Sequence, residues 1–271
     1  MSSWRIVPQT EIDHDRWDTC TREKNREVFS ECWYWNAVCT EWQAWVKGDY
    51  EDVMALPIQR KWGIIPMMRT PLYVKWLEGD RVEMLRMVRA FVGIRCVHIP
   101  FEIDGATRKS FQELKLDSTW KPSKELAKNI RKAEVENPQF IESVTWDDFF
   151  TFMKQNHPYA WPQTQQKAMQ KLYANSYEQG VGKIAGVKMK GHWAAMQFYI
   201  CQHSRAYLIQ NAVAPDWRNR EPMPFLLNSL FSQWVIEFGE VHVNFMGSNN
   251  AGVARFNEKF GATNAYYWEL G

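Results

Sequence analysis

The chain has 271 residues, 45% of them apolar and 24% charged, with a net charge of +2. Such a length fits one large globular domain or two small ones, and so mild a charge gives no ground for a nucleic-acid or membrane-surface partner. The 5 cysteines form no C-x-x-C pair, which speaks against a disulfide framework and for reduced thiols in a cytoplasmic protein.

Hydrophobic periodicity places the elements in chain order. Residues 4–8 read as a short strand, 13–24 and 28–42 as helices, with Trp33, Ala37 and Trp42 sharing a buried stripe. Strand-like segments follow at 43–47, 53–59 and 64–76, a helix at 80–93, and short strands at 96–99 and 111–116. A helix over 122–135 has Pro122 at its start, where a missing N–H costs nothing. The order then repeats. A strand at 140–144 precedes a helix at 146–155 capped by Thr145, and a second helix runs over 163–179. Strands at 181–189, 193–201 and 205–213, a helix at 222–238, a strand at 240–246, a helix at 249–260 and a strand at 263–270 complete the chain. Two α/β halves of similar element order result: 1–120, a basic bridging helix at 121–136, and 137–271. The beginning of the chain lacks the pattern of a signal peptide, and no apolar run is long enough to span a membrane.

Three motifs carry a family resemblance. The run from Asn250 to Ala262 contains Glu258, Lys259, Phe260 and Gly261 and resembles the last helix of GNAT acyltransferases. The strand before it, Val241 to Ser248, is similar to that of the Fem-type branch, as is the spacing of Gly252, Phe256, Phe260, Gly261 and Ala262. The basic run Ser123 to Glu134 resembles the helix joining the halves of doubled GNAT proteins, and Glu31 to Asn36 resembles a motif of their first half. The fold so implied is α/β of the α+β type: two tandem GNAT-like units, each a mixed, mostly antiparallel sheet flanked by helices.

The chemistry this resemblance implies is attack by an amine on an activated acyl group, with acetyl-CoA or another acyl-CoA as donor. A splayed pair of strands, here 205–213 and 240–246, would polarise the acyl carbonyl. A helix N-terminus would hold the pyrophosphate. The stretch from Ala214 to Pro224 departs from the family's glycine-rich phosphate loop: it has no glycine, and Pro222 and Pro224 lack N–H groups. Arg218 and Arg220 are the candidate phosphate ligands in compensation, with Asn211, Ser248 and Asn250 beside the cofactor. The family's frequent acid, a tyrosine before Glu-Lys-x-Gly, is Asn257 here. His242 is the candidate base and Tyr266 a candidate acid. His242 and Asn244 alternate on one face of the cleft strand. Trp33 and the proline-bounded loop bearing Tyr159 and Trp161 are candidates for the substrate side, with Asn244.

No histidine, cysteine and carboxylate spacing suggests a metal site, and nucleophile-elbow, P-loop and dinucleotide fingerprints are missing. Lys124, Lys128, Arg131 and Lys132 fall on one helix face, either solvated or binding the phosphates of coenzyme A, a nucleotide-linked precursor or tRNA. Three readings stay open. One is an acyl-CoA-dependent transferase with a small-molecule amine acceptor. Another is a Fem-type transferase moving an aminoacyl group from tRNA to a cell-wall precursor. The last is a non-catalytic binding protein on a degenerate acyltransferase fold.

Overall fold

The computed structural model describes residues 2–61, 65–71, 76–90, 97–156, 162–247 and 249–271. The chain divides into two compact units, Met1–Lys109 with Tyr266–Gly271, and Ser110–Ala265.

The first unit runs β1 (Trp4–Val7), α1 (His14–Glu23), a 3-10 turn (Val28–Ser30), α2 (Cys32–Val38), β2 (Glu41–Lys47), β3 (Asp52–Lys61), β4 (Ile65–Met68), α3 (Arg81–Ala90) and β5 (Val97–Ile99). Strands β1 to β4 make an antiparallel sheet in sequence order. Asp13 starts α1, its side chain accepting the Arg16 N–H at 3.1 Å. The single helix expected over 28–42 is instead a 3-10 turn and a seven-residue α2, with β2 following directly. Trp42 therefore belongs to a strand, not to a helical stripe: Trp42, Ala44 and Val46 are buried with the period of two that a half-buried strand requires. Its indole still meets Trp17 and Trp35, at centroid distances of 5.4 Å and 6.1 Å. Cys39 sits just past α2 in extended conformation, off the helix that Cys32 begins. Of the strand expected over 64–76, β4 covers Ile65–Met68 and residues 69–71 and 76 are not strand, while 64 and 72–75 lie outside the described residues. Trp62 and Cys96 lie outside the described residues.

The second unit begins in β6 (Thr107–Leu116) and continues with α4 (Lys124–Glu134), β7 (Gln139–Ile141), α5 (Trp146–Asn156), α6 (Gln163–Glu178), β8 (Gly182–Met189), β9 (His192–Gln202), β10 (Arg205–Val213), a 3-10 turn (Pro215–Arg220), α7 (Pro222–Phe238), β11 (Val241–Gly247), α8 (Ala251–Glu258) and the start of β12 (Thr263–Leu270). The end of β12 lies in the first unit, where Trp268 pairs with Ile99 of β5. The basic helix expected as a bridge is α4, inside the second unit. Its cap is Ser123, whose hydroxyl accepts the Leu126 N–H at 3.2 Å; Pro122 precedes the cap and is not the first helical residue. Thr145 caps α5 as expected, accepting the Asp148 N–H at 3.1 Å.

In this unit the strands order as β6-β11-β10-β9-β8-β7. Every neighbouring pair is antiparallel except β10 with β11, which is parallel. One face carries Leu114, Leu116, Ala206, Leu208, Val243 and Phe245, packed in one core with Leu126 and Ile130 of α4 and with Leu227, Leu230 and Phe231 of α7. The opposite face meets α5 and α6, where Phe149 and Tyr173 approach Phe198 edge-on. Two faces of opposite parity thus sort the residues of β6, β10 and β11.

Asn250 caps α8, its side-chain oxygen accepting the N–H groups of Gly252 at 2.8 Å and Val253 at 3.3 Å. Replacing it with Ala is expected to cost about 1 kcal/mol, measured as a lowered urea midpoint at unchanged slope; an unmoved midpoint would show the cap to be idle.

A candidate acyl-transfer opening

Parallel pairing of β10 and β11 holds for only three register positions: Arg205 with His242, Ala206 with Val243, and Tyr207 with Asn244. Both strands then continue, β10 to Val213 and β11 to Gly247. The cause is local on each side. On β10 the register against β9 shifts between Leu208 and Gln210. On β11 the register against β6 shifts between Asn244 and Gly247, with Met246 at φ 61°. A bulge bends its strand and leaves the ladder locally unmade. The two strands so part beyond Tyr207 and Asn244, and the Met246 N–H of β11 is taken up there by the Asn244 side-chain oxygen at 2.7 Å. Backbone N–H groups at such a parting are the kind of donor an oxyanion requires.

At the end of β10 lies a cleft of about 660 Å³, bordered by Phe152, Gln155, His192, Trp193, Ala214 and Trp217. Chain direction then brings α7 to the same end of the sheet. A helix start normally offers four free N–H groups. Here Glu221 spends its own on the Arg218 carbonyl at 3.3 Å, Pro222 and Pro224 have none, and only Met223 keeps one. Met223 is itself buried. The anion site of a helix start is therefore largely dismantled. Arg218 and Arg220 are exposed on the preceding turn. Arg220 pairs with Glu136 at 3.2 Å, and Lys190 reaches the same carboxylate at 3.0 Å. The hydrogen bond from Lys190 holds the Glu136 carboxyl below its usual range.

The other sequence candidates disperse. His242 stands at the closed end of the opening, in the first paired position of β11, exposed and 3.4 Å from Glu240. The parting past Asn244 begins two residues further on, about 7 Å along the strand. Asn211 is exposed on β10 beyond the bulge, beside Gln197 in register. The side-chain oxygen of Asn250 is occupied by the cap of α8. Tyr266 belongs to the first unit, partly exposed, with the Arg108 guanidinium 4.6 Å from its ring centroid. Trp33 is also in the first unit and donates from its indole N–H to the buried Glu31 carboxylate at 2.6 Å. Tyr159, Trp161 and Ser248 lie outside the described residues.

Asn244 does lie at the mouth of the opening, 3% exposed. Asn257 is buried in a side-chain pair, its amide donating to Gln112 Oε1 at 2.9 Å. The position that the GNAT resemblance gives to a tyrosine acid is thus a structural amide. Sequence reading missed both Gln112 and Glu113 of β6. Glu113 is the register partner of Asn244, a relation that only the pairing of distant strands reveals.

No family model matches the sequence, and no curated protein matches it. Solved structures do match over nearly the whole chain. One is FemX, at TM-score 0.66 and 11% identity, covering 98% of this chain and 96% of its own. A tandem GNAT protein from the clavulanic acid biosynthesis pathway aligns at TM-score 0.59 and 10% identity, over 99% and 97%. L-PGS from Bacillus licheniformis aligns at TM-score 0.57 and 15% identity, over 95% and 91%. The fold is α/β with antiparallel-dominated sheets, in the class of GNAT-fold proteins. More particularly, it is a doubled GNAT fold, to which FemX and the tandem GNAT protein are similar. Among the described residues no cluster of side chains could hold a metal ion, and no helix is long and apolar enough to cross a membrane.

Proposed function

We propose that this protein is an acyltransferase that joins an acyl group to an amine at the opening between β10 and β11, with an acyl-CoA, in the first instance acetyl-CoA, as donor. The observation that supports this reading is the parting of two parallel strands after three paired positions. The amine nitrogen attacks the thioester carbonyl, and the oxygen that gains charge is held by backbone N–H groups at that parting. A C–N bond forms, the C–S bond breaks, and the thiolate leaves with the electron pair. The nitrogen loses its proton to water. With Asn257 locked to Gln112, the thiolate takes a proton from water and not from the last helix.

Arg218 and Arg220 hold the donor's phosphates in place of the helix start. Calorimetric titration with acetyl-CoA and with free coenzyme A tests this. Saturable binding is expected, weakened at least tenfold when both arginines become Ala, by the loss of two charge-assisted contacts. No saturable binding at millimolar ligand would sink the acyl-CoA reading.

A second reading draws on the dismantled α7 start together with the exposed Lys124, Lys128, Arg131 and Lys132 of α4. Here the donor is an aminoacyl-tRNA and the acceptor a nucleotide-linked cell-wall precursor. Binding of tRNA that falls steeply with salt would favour it over coenzyme A.

A further inference from the structure

The cleft of about 660 Å³ at the end of β10 lies wholly within the second unit, and its lining has a definite chemistry. From α5 come Asp148, Phe152 and Asn156, whose spacing of four puts them on one helix face. Trp193 enters from the start of β9, and Asp216 and Trp217 from the 3-10 turn after β10. Among the described residues that border the cleft, the titratable groups are Asp148, Asp216 and His192, and none is a lysine or arginine. Asp148 and Asp216 are exposed, and neither carboxylate has a hydrogen bond or an ion pair among the described residues.

The aromatic part of the lining is held in place. Phe152 is buried, and its carbonyl accepts the Asn156 side-chain N–H at 2.8 Å. The half-buried Trp193 lies against Gly186 of β8, where an added Cβ would stand 2.7 Å from its Cζ3. Lys188 Nζ is 4.4 Å from the ring centroid of Trp193, and Lys190 Nζ is 5.9 Å from that of Trp217. Neither lysine borders the cleft. A ring that already carries one ammonium is a poor seat for a second cation, since the attraction is to the electrons of its face. The indoles therefore offer this cleft apolar surface, and the attraction for a cation falls to the two carboxylates. A concave site with apolar walls and a few unpaired polar groups of one charge suits a ligand that has both a hydrophobic body and the opposite charge.

We infer that this cleft binds an organic cation, a primary ammonium on a short aromatic or apolar body. The ammonium lies toward Asp148 and Asp216, and the body rests on Phe152, Trp193 and Trp217. The site rests on the acyl-transfer reading for its purpose, as the place where the acceptor amine arrives in its charged form. Its test needs neither donor nor turnover.

The probe is 2-phenylethylamine, with 2-phenylethanol as the body without the charge and ethylamine as the charge without the body. The readout is the indole N–H signals of Trp193 and Trp217 in a nitrogen-15 spectrum of the full chain, each assigned by its loss in Trp193→Phe or Trp217→Phe. Phenylethylamine is expected to move both signals saturably, with an affinity at least threefold above either control. Replacing both Asp148 and Asp216 with Asn should remove its advantage over phenylethanol. Signals that stay still with all three compounds, or a smaller advantage in the wild-type chain, would overturn the site, as would an advantage that survives in the double variant. Both carboxylates are exposed, and the wild-type comparison decides alone if that variant misfolds. Failure of coenzyme A to bind would overturn the donor assignment and leave this result standing.

Discussion

Raising the pH from 5 to 8 is expected to destabilise the first unit by about 3 kcal/mol, and Glu78→Gln to remove most of that loss. Glu78 is partly buried, but its carboxyl is enclosed: it accepts the Glu27 N–H at 2.9 Å, the Ser30 hydroxyl at 2.5 Å and the Trp76 indole N–H at 3.3 Å. Burial pushes its pKa up from 4.5 to about 7, Glu27 adds to the rise, and the hydrogen bonds from Ser30, Trp76 and the Glu27 backbone oppose it without prevailing. The folded chain therefore keeps a proton that the unfolded chain releases near pH 4.5. Stability is fully present below that pH, falls as pH rises toward 7, and is flat above. At 1.36 kcal/mol per pH unit, a window from 4.5 to about 7 amounts to about 3 kcal/mol. Asp18 adds a loss of the same sign, since burial raises its pKa from 3.8 to about 6 against the pull of the Cys32 N–H. Both groups lie in the first unit, so the loss should be local. Hydrogen exchange at residues 27–30, compared at pH 5 and pH 8 after correction for intrinsic rates, reads it directly. A wild-type thermal midpoint that holds steady from pH 5 to 8 would refute the argument.

Much of the fold was legible because its signals are local. In the second unit the alternation of apolar residues and the Thr145 cap name the elements in order, and the first unit follows a similar order. The error over 28–42 shows where local reading ends. Trp33, Ala37 and Trp42 fit a helical period, while Trp42, Ala44 and Val46 equally fit a strand period, and Trp42 belongs to both patterns. Which one governs is settled by pairing with β3, where Trp42 meets Pro57 and Ala44 meets Ala55. The site was less legible for the same reason. His242 has the chemistry of a base, and the register with β10 sets it in the first paired position of β11. Glu113 lies in the short strand read at 111–116, half-buried. Its place beside Asn244 depends on a pairing across 131 residues of chain, about which neither segment carries a local signal.

Gly182→Ala is expected to cost about 3 kcal/mol, the upper part of the range for overpacking in a tight core. Gly182 opens β8 and is buried. A Cβ there would lie 1.9 Å from the Ser176 hydroxyl oxygen, 2.5 Å from its Cβ and 3.0 Å from its backbone carbon. Ser176 cannot swing aside, because the obstruction includes its own Cβ and backbone. It is fully buried in the last turn of α6, its hydroxyl donating to the Tyr173 carbonyl at 3.0 Å, and its carbonyl accepts the Val181 N–H at 3.0 Å. Relief would need movement of that turn or of the start of β8, whose pairing with β9 begins at Gly182 and Ile200. Since β9 also carries β10, strain entered here acts on the sheet that sets the opening. Ser176→Gly removes the two nearest of the three contacts. It should by itself cost about 1 kcal/mol as a helix glycine, yet in the Gly182→Ala background it should restore stability. The expected coupling is at least 1 kcal/mol in a double-mutant cycle by urea unfolding. Additive losses would show that α6 and β8 adjust freely, and that this glycine is not required by its neighbour.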